Sequence, residues 1–329
     1  MSPAASRTGD DDIGVAADMP VTVVGGYLGS GKTTLVNHLL RTATERVAVL
    51  VNDFGDVDVD ADLIERDDGE VMALANGCIC CSLVDGLASA LVTIAEFEPR
   101  PDRLVIEASG VADPASVAAY GHGPGFELDA VVVLVDAATI RSQAADKYIG
   151  DTVRGQLRAA DVLVVNKVDL VDDGRAAAVT GWLGELVDRA LVVEASRARV
   201  DPAVLFGRLG DRSPADDAGA RSTTPSSHAP ADEVYESWTW MSAAPLGGDA
   251  IEQLMASLPD AVVRAKGIVR LDGVERPQVV QRVGGRWTME PARVGSGAAA
   301  AATSRLVVIG RRGAIDDAWL AWHLGAPDP

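Results

Sequence analysis

The chain alternates between short apolar runs and longer amphipathic stretches. Val21–Val24, Val47–Val51, Leu104–Ile106, Ala130–Val135, Val162–Val165 and Leu191–Val193 are dominated by Val, Leu, Ile and Ala, the pattern of strands buried on both faces. Between them, stretches around Leu83–Phe97, Ala115–Tyr120, Asp151–Ala159 and Arg175–Val187 carry apolar residues at helical spacing. This alternation predicts an α/β domain over residues 19–207, with a mainly parallel sheet wrapped by helices. Residues 208–232 are rich in Asp, Ser, Ala, Pro and Thr and predict a flexible linker.

From 233 to 329 the pattern changes. Val234–Met241 alternates, with Trp238 and Trp240 on one face of a strand. A helix over Ile251–Leu258, strand-like runs at Val262–Leu271, Gln278–Val283 and Leu306–Ile309, and a helix over Asp316–Leu324 predict a small α+β domain. The Gly/Ala stretch Gly295–Ala302 reads as a loop within it. Residues 1–18, with Asp10, Asp11 and Asp12, lack the basic start and apolar stretch of a signal peptide and read as a disordered leader.

Composition narrows the function classes. Apolar residues make up 48% of the 329, enough for two cores, and no apolar run reaches the ~18 residues that span a membrane. A net charge of −19 argues against nucleic acid as a direct partner, because phosphate binding wants the opposite sign. It is compatible with cation handling but assigns nothing alone. The three cysteines, Cys78, Cys80 and Cys81, fall within four consecutive positions. Disulfide scaffolds spread their cysteines to close loops, so this cluster points to a reducing, cytoplasmic compartment and a thiolate site.

The chemistry is written at strand ends. Val21–Val24 runs into Gly26-Tyr27-Leu28-Gly29-Ser30-Gly31-Lys32-Thr33, followed by Thr34 and a helical pattern. Strand, G-x-x-x-x-G-K-T and helix together make a phosphate cradle. Loop N–H groups and the helix N-terminus face the phosphates, Lys32 reaches the β/γ-phosphates, and the Thr33 hydroxyl ligates magnesium. Val162–Val165 runs into Asn166-Lys167-Val168-Asp169, the guanine-reading N-K-x-D. The Asp169 carboxylate accepts from guanine N1–H and the 2-amino group, and adenine offers neither. Asn166 supports the base at N7 and the Lys167 stem lies along its plane. These motifs predict binding of GTP and GDP.

With Asn76-Gly77-Cys78-Ile79-Cys80-Cys81, the VLVNDFGDVDVD segment, VIEASGVADP and VVNKVDL, the sequence resembles the CobW-type family of P-loop GTPases, and RAKGIVRL with SRLVVIG looks like that family's C-terminal domain. The resemblance implies slow GTP hydrolysis coupled to binding a transition metal and delivering it to a metal-requiring client. Zinc is the favoured ion, with cobalt, iron or nickel the other candidates. It implies that Glu107 of Glu107-Ala108-Ser109-Gly110 acts through a magnesium-bound water and that the Gly110 N–H senses the γ-phosphate. It weights Cys80 most among the thiols, joined by a switch-loop carboxylate, Asp53 or Asp56, and by a histidine, for which His122 is the candidate.

In an extended backbone Cys78 and Cys80 share a face while Cys81 points away, whereas a turn could gather all three. Asp53 could instead act near magnesium or the attacking water. The family usually has glutamate at positions 53 and 56, so reach is one methylene shorter here. The single linker histidine, His228, provides no metal reservoir, while His38 reads as a helix-surface residue and His323 as structural. A GTP-dependent regulatory protein whose thiols sense metal or redox status is the alternative, and a homodimer is compatible with either reading.

Overall fold

The computed structural model describes residues 18–52, 71–73, 82–206, 235–292 and 301–314, with Trp319 and Leu324. The linker residues, Asp53, Asp56, the three cysteines, His228 and His323 lie outside the described residues.

Seven strands form the first sheet: β1 (Met19–Gly25), β2 (Val47–Asn52), β3 (Val71–Ala73), β4 (Arg103–Ala108), β5 (Phe126–Asp136), β6 (Val162–Asn166) and β7 (Leu191–Ala195), ordered β3-β2-β4-β1-β5-β6-β7. Every pairing in it is parallel. The helices between strands are α1 (Lys32–Thr42), α2 (Ser82–Ala95), α3 (Pro114–Ala118), α4 (Ile140–Ala145), α5 (Gly150–Ala159), α6 (Asp173–Leu186) and α7 (Pro202–Phe206). Both faces of the sheet are covered, as continuous apolar strands require. Val21, Val23, Leu50, Leu104 and Ile106 pack with α2, α3, α5 and α6, while Val24, Val49, Val51, Val105 and Val132 pack with α1 and α7.

The second sheet is antiparallel, with β8 (Tyr235–Ser242), β9 (Val262–Val269), β10 (Gln278–Val283), β11 (Arg286–Pro291) and β12 (Ser304–Arg311) ordered β11-β10-β9-β12-β8, and α8 (Gly248–Ser257) joining β8 to β9. The run Leu306–Ile309 is apolar because β12 is buried on both faces. Leu306 and Val308 face the α8 side with the half-buried Trp238 and Trp240, and Val307 and Ile309 enter the core shared with α1 and α7.

That shared core surrounds a buried charge cluster. Asp129, fully buried at the start of β5, accepts from Arg103 Nη1 at 2.7 Å, from Lys266 Nζ at 3.1 Å and from Arg264 Nη2. Arg103 also donates to Phe206 O at 3.0 Å, and Arg264 to Leu205 O at 2.9 Å. Burial alone would raise the Asp129 pKa; Arg264, Lys266 and Arg103 outweigh it and hold the carboxyl well below the usual carboxylate range. A depressed folded-state pKa contributes stability that is fully present above the unfolded value of about 4 and is lost as pH falls towards the folded value. Asp129→Ala leaves three buried cations facing one another, so a loss of about 3–5 kcal/mol is expected in chemical denaturation at pH 7. The variant should also lose part of the wild type's destabilisation below pH ~4.

Candidate nucleotide site

The phosphate loop joins β1 to α1 in the middle of the parallel sheet, at the carboxyl edge. β1 neighbours β4 on one side and β5 on the other, so the following segments diverge and leave a crevice. Gly26 has φ +131° and Gly31 φ +106°. A Cβ at Gly26 would overlap Leu134 O, and one at Gly31 would overlap the Asn166 side-chain amide. Glycine is required at both for conformation and for space. Helix α1 starts at Lys32 without a side-chain cap, which leaves its first N–H groups directed at the crevice. Lys32 is buried at 9% exposure, and its Nζ donates to Gly26 O at 3.1 Å. Thr33 Oγ1 donates to Glu107 Oε1 at 3.0 Å, joining the phosphate loop to the end of β4. Ser30 is buried, whereas Gly29 and Thr34 are exposed.

The side of the crevice beside β6 is built on Asn166 and Lys167. Asn166 is buried, donates from Nδ2 to Ser30 O at 2.9 Å and accepts the Ala198 N–H at 2.7 Å. One side chain therefore ties the phosphate loop to the loop after β7. Lys167 adopts φ +63°, unusual for a residue with a Cβ. Its ammonium reaches Gly29 O at 2.7 Å and Asp136 Oδ2 at 2.8 Å, contacts that hold the turn and direct the short 3-10 segment Val168–Leu170 outward. Asp169 lies exposed on that segment, open to a ligand.

The structure thus brings together Gly26, Gly29, Ser30, Gly31, Lys32, Thr33, Glu107, Asn166 and Lys167, with Gly110 in the turn after β4. His122 is exposed in the 3-10 turn Ala119–His122. Among the described residues no group of three or more His, Cys, Asp and Glu is placed to hold a metal ion. His38 departs from the surface reading: its Nε2 lies 3.0 Å from Val200 O, and burial lowers its pKa. Sequence reasoning missed Asp136, Ala198 and Gln156. Asp136 is the last residue of β5 and Ala198 lies just beyond β7, both at the edge that carries the motifs, and that position was the available signal.

A parallel sheet of this order, with a glycine-rich phosphate loop leading from β1 into α1, defines a P-loop nucleotide-binding protein. The chain belongs to the CobW family: the model for the CobW/HypB/UreG nucleotide-binding domain matches residues 20–194, and that for the cobalamin synthesis protein CobW C-terminal domain matches 235–326. It is similar to the zinc chaperone CobW of a Sinorhizobium species, at 31% identity over 89% of this chain and 92% of the relative. The zinc chaperone YjiA of Escherichia coli is 31% identical over 77% of this chain and 82% of its own length. The zinc-regulated GTPase metalloprotein activator 1 of Schizosaccharomyces pombe is 33% identical over 56% of this chain and 47% of its own length. No helix among the described residues is long and apolar enough to cross a membrane.

Proposed function

We propose that this protein hydrolyses GTP slowly, uses its nucleotide state to govern a transition-metal site, and hands the ion, zinc in the favoured case, to a metal-requiring client. The observation that carries this reading is a convergence of strand ends. β1 and β4 deliver Lys32, Thr33 and Glu107, and the adjacent β2 and β3 end at Asn52 and Ala73, from which the chain continues to Asp53 and Asp56 and to Cys78, Cys80 and Cys81. The names of the relatives, zinc chaperones and a zinc-regulated GTPase activator, support the metal and the activity.

Magnesium fits the Thr33–Glu107 pair, whose hard oxygens lie 3.0 Å apart. Thr33 would hold the ion and Glu107 would act through a bound water; when bound, magnesium neutralises β/γ-phosphate charge. Lys32 exchanges its bond to Gly26 O for phosphate oxygens, and the N–H groups of the loop and α1 hold the remainder of the triphosphate. Asp53 orients the attacking water or joins the metal site. Thiolates of Cys78, Cys80 and Cys81 suit zinc and other borderline-soft ions, with Asp56 and His122 as further donors. The segments after β2 and β4 order around GTP and relax after hydrolysis, which changes the ligands offered to the metal.

Base recognition provides the test. Asp169→Asn replaces an acceptor by a donor, so GTP should bind more weakly while XTP, with its 2-oxo group, gains. Competition of labelled GTP by GTP, ATP and XTP measures both. Equal competition by ATP and GTP in the wild type would contradict the GTPase reading.

A further inference from the structure

We infer that Gln156 is a positioning residue that sets the turn after β4 for recognising the third phosphate, an inference that rests on the GTPase reading above. Gln156 belongs to α5, lies outside every nucleotide motif and is 2% exposed. Its Nε2 donates to Gly110 O at 3.1 Å and to Ala112 O at 2.9 Å, one hydrogen for each carbonyl. Both carbonyls belong to one turn, closed by Ala112 N–H to Ser109 O at 3.0 Å. On its other side Gly110 meets the phosphate loop: the space a Cβ would take there is filled by the Leu28 side chain. The turn is therefore held between Leu28 and Gln156.

The placement of this turn gives the contact its consequence. Glu107, three residues before Gly110, accepts from Thr33, whose place in the motif is at the β/γ end of the phosphate chain. Asn166 and Asp169 mark the opposite, base end. The 109–112 turn thus faces the distal phosphate, which GDP lacks. A buried primary amide given to two carbonyls of one turn fixes the directions of the adjoining peptide planes, and so of the N–H groups they carry. An apolar side chain would leave those carbonyls without donors and the turn free to reorient. Fixing the turn favours GTP and the transition state over GDP.

Two variants separate this from simple packing. Gln156→Met keeps length and volume without a donor, and Gln156→Glu keeps shape while directing a carboxylate at both carbonyls. Affinities for GDP and a non-hydrolysable GTP analogue are measured with the single-turnover rate of GTP hydrolysis. GDP affinity should stay within about twofold of wild type, while analogue affinity and hydrolysis each fall about tenfold, the scale of one or two lost hydrogen bonds. In Gln156→Glu the analogue's advantage should return partly as pH falls, since the protonated acid regains one donor. Should Gln156→Met fail to fold, as judged by thermal unfolding, Gln156→Glu and its pH profile carry the comparison. Unchanged analogue affinity in a folded variant, or parallel loss of GDP and analogue, would overturn the inference while leaving a guanine-selective wild type intact. A wild type without guanine selectivity would overturn the GTPase reading and this inference with it.

Discussion

Lys32→Ala is expected to reduce GTP hydrolysis about 10²–10³-fold and to weaken nucleotide binding with it. The ammonium is buried at the foot of the phosphate loop, where charge is poorly screened, and it donates to Gly26 O at 3.1 Å. From the first turn of α1 it would, on the proposed reading, reach the β/γ-phosphates, where charge shifts as the terminal phosphoryl departs. Alanine leaves backbone N–H groups and magnesium to balance that charge. The wild-type rate should itself be slow, on the order of one turnover per minute or less, as for GTPases without an arginine finger. Single-turnover hydrolysis by purified wild type and variant measures the ratio. Undiminished hydrolysis in the variant would show that this loop is not the catalytic cradle.

Cys80→Ser should produce the second large effect, a loss of zinc or cobalt affinity of at least about 100-fold with GTP affinity within a few fold of wild type. A serine hydroxyl ionises far less readily than a thiol, and hard oxygen is a poor match for a borderline-soft ion. Loss of a direct ligand should exceed the 10–100-fold that outer contacts cost. Cobalt-loaded wild type should show thiolate-to-cobalt charge-transfer absorption that the variant lacks. Cys78→Ser and Cys81→Ser, measured alongside, count the thiols in the site. If all three variants bind metal as the wild type does, the cysteine cluster is not the metal site.

The nucleotide site was largely legible in the sequence because its chemistry depends on short contiguous motifs. Gly26 to Thr33 and Asn166 to Asp169 each lie at one strand end, and β1 and β6 each present a short, buried, Val-rich run just before the motif. What pairs with what was hidden. The contact between Asn166 and Ser30 spans 136 positions, and Gln156 serves Gly110 from 46 positions away. Helices α4 and α7, of six and five residues, are too short to show a period. β11 escaped because it is an edge strand with mostly exposed residues. β5 was read from Ala130, since Glu127 and Asp129 break the apolar pattern, yet it starts at Phe126. Asp129 belongs in the strand because three cations reach it, two of them from β9, more than 130 residues later.

The central claim is that nucleotide state and metal affinity are linked, and a linkage must be reciprocal: the factor by which GTP changes zinc affinity is the factor by which zinc changes GTP affinity. The carrier would be the segment after β2, which holds Asp53 and Asp56 and follows a strand hydrogen-bonded to both β3 and β4. Titration of zinc into apo, GDP-bound and GTP-analogue-bound protein is the most direct measurement. The account predicts zinc affinities that differ between the GDP and GTP-analogue states by about 5–150-fold, with Asp53→Ala or Asp56→Ala shrinking that ratio more than either separate affinity. Identical zinc affinities in all three states would contradict it.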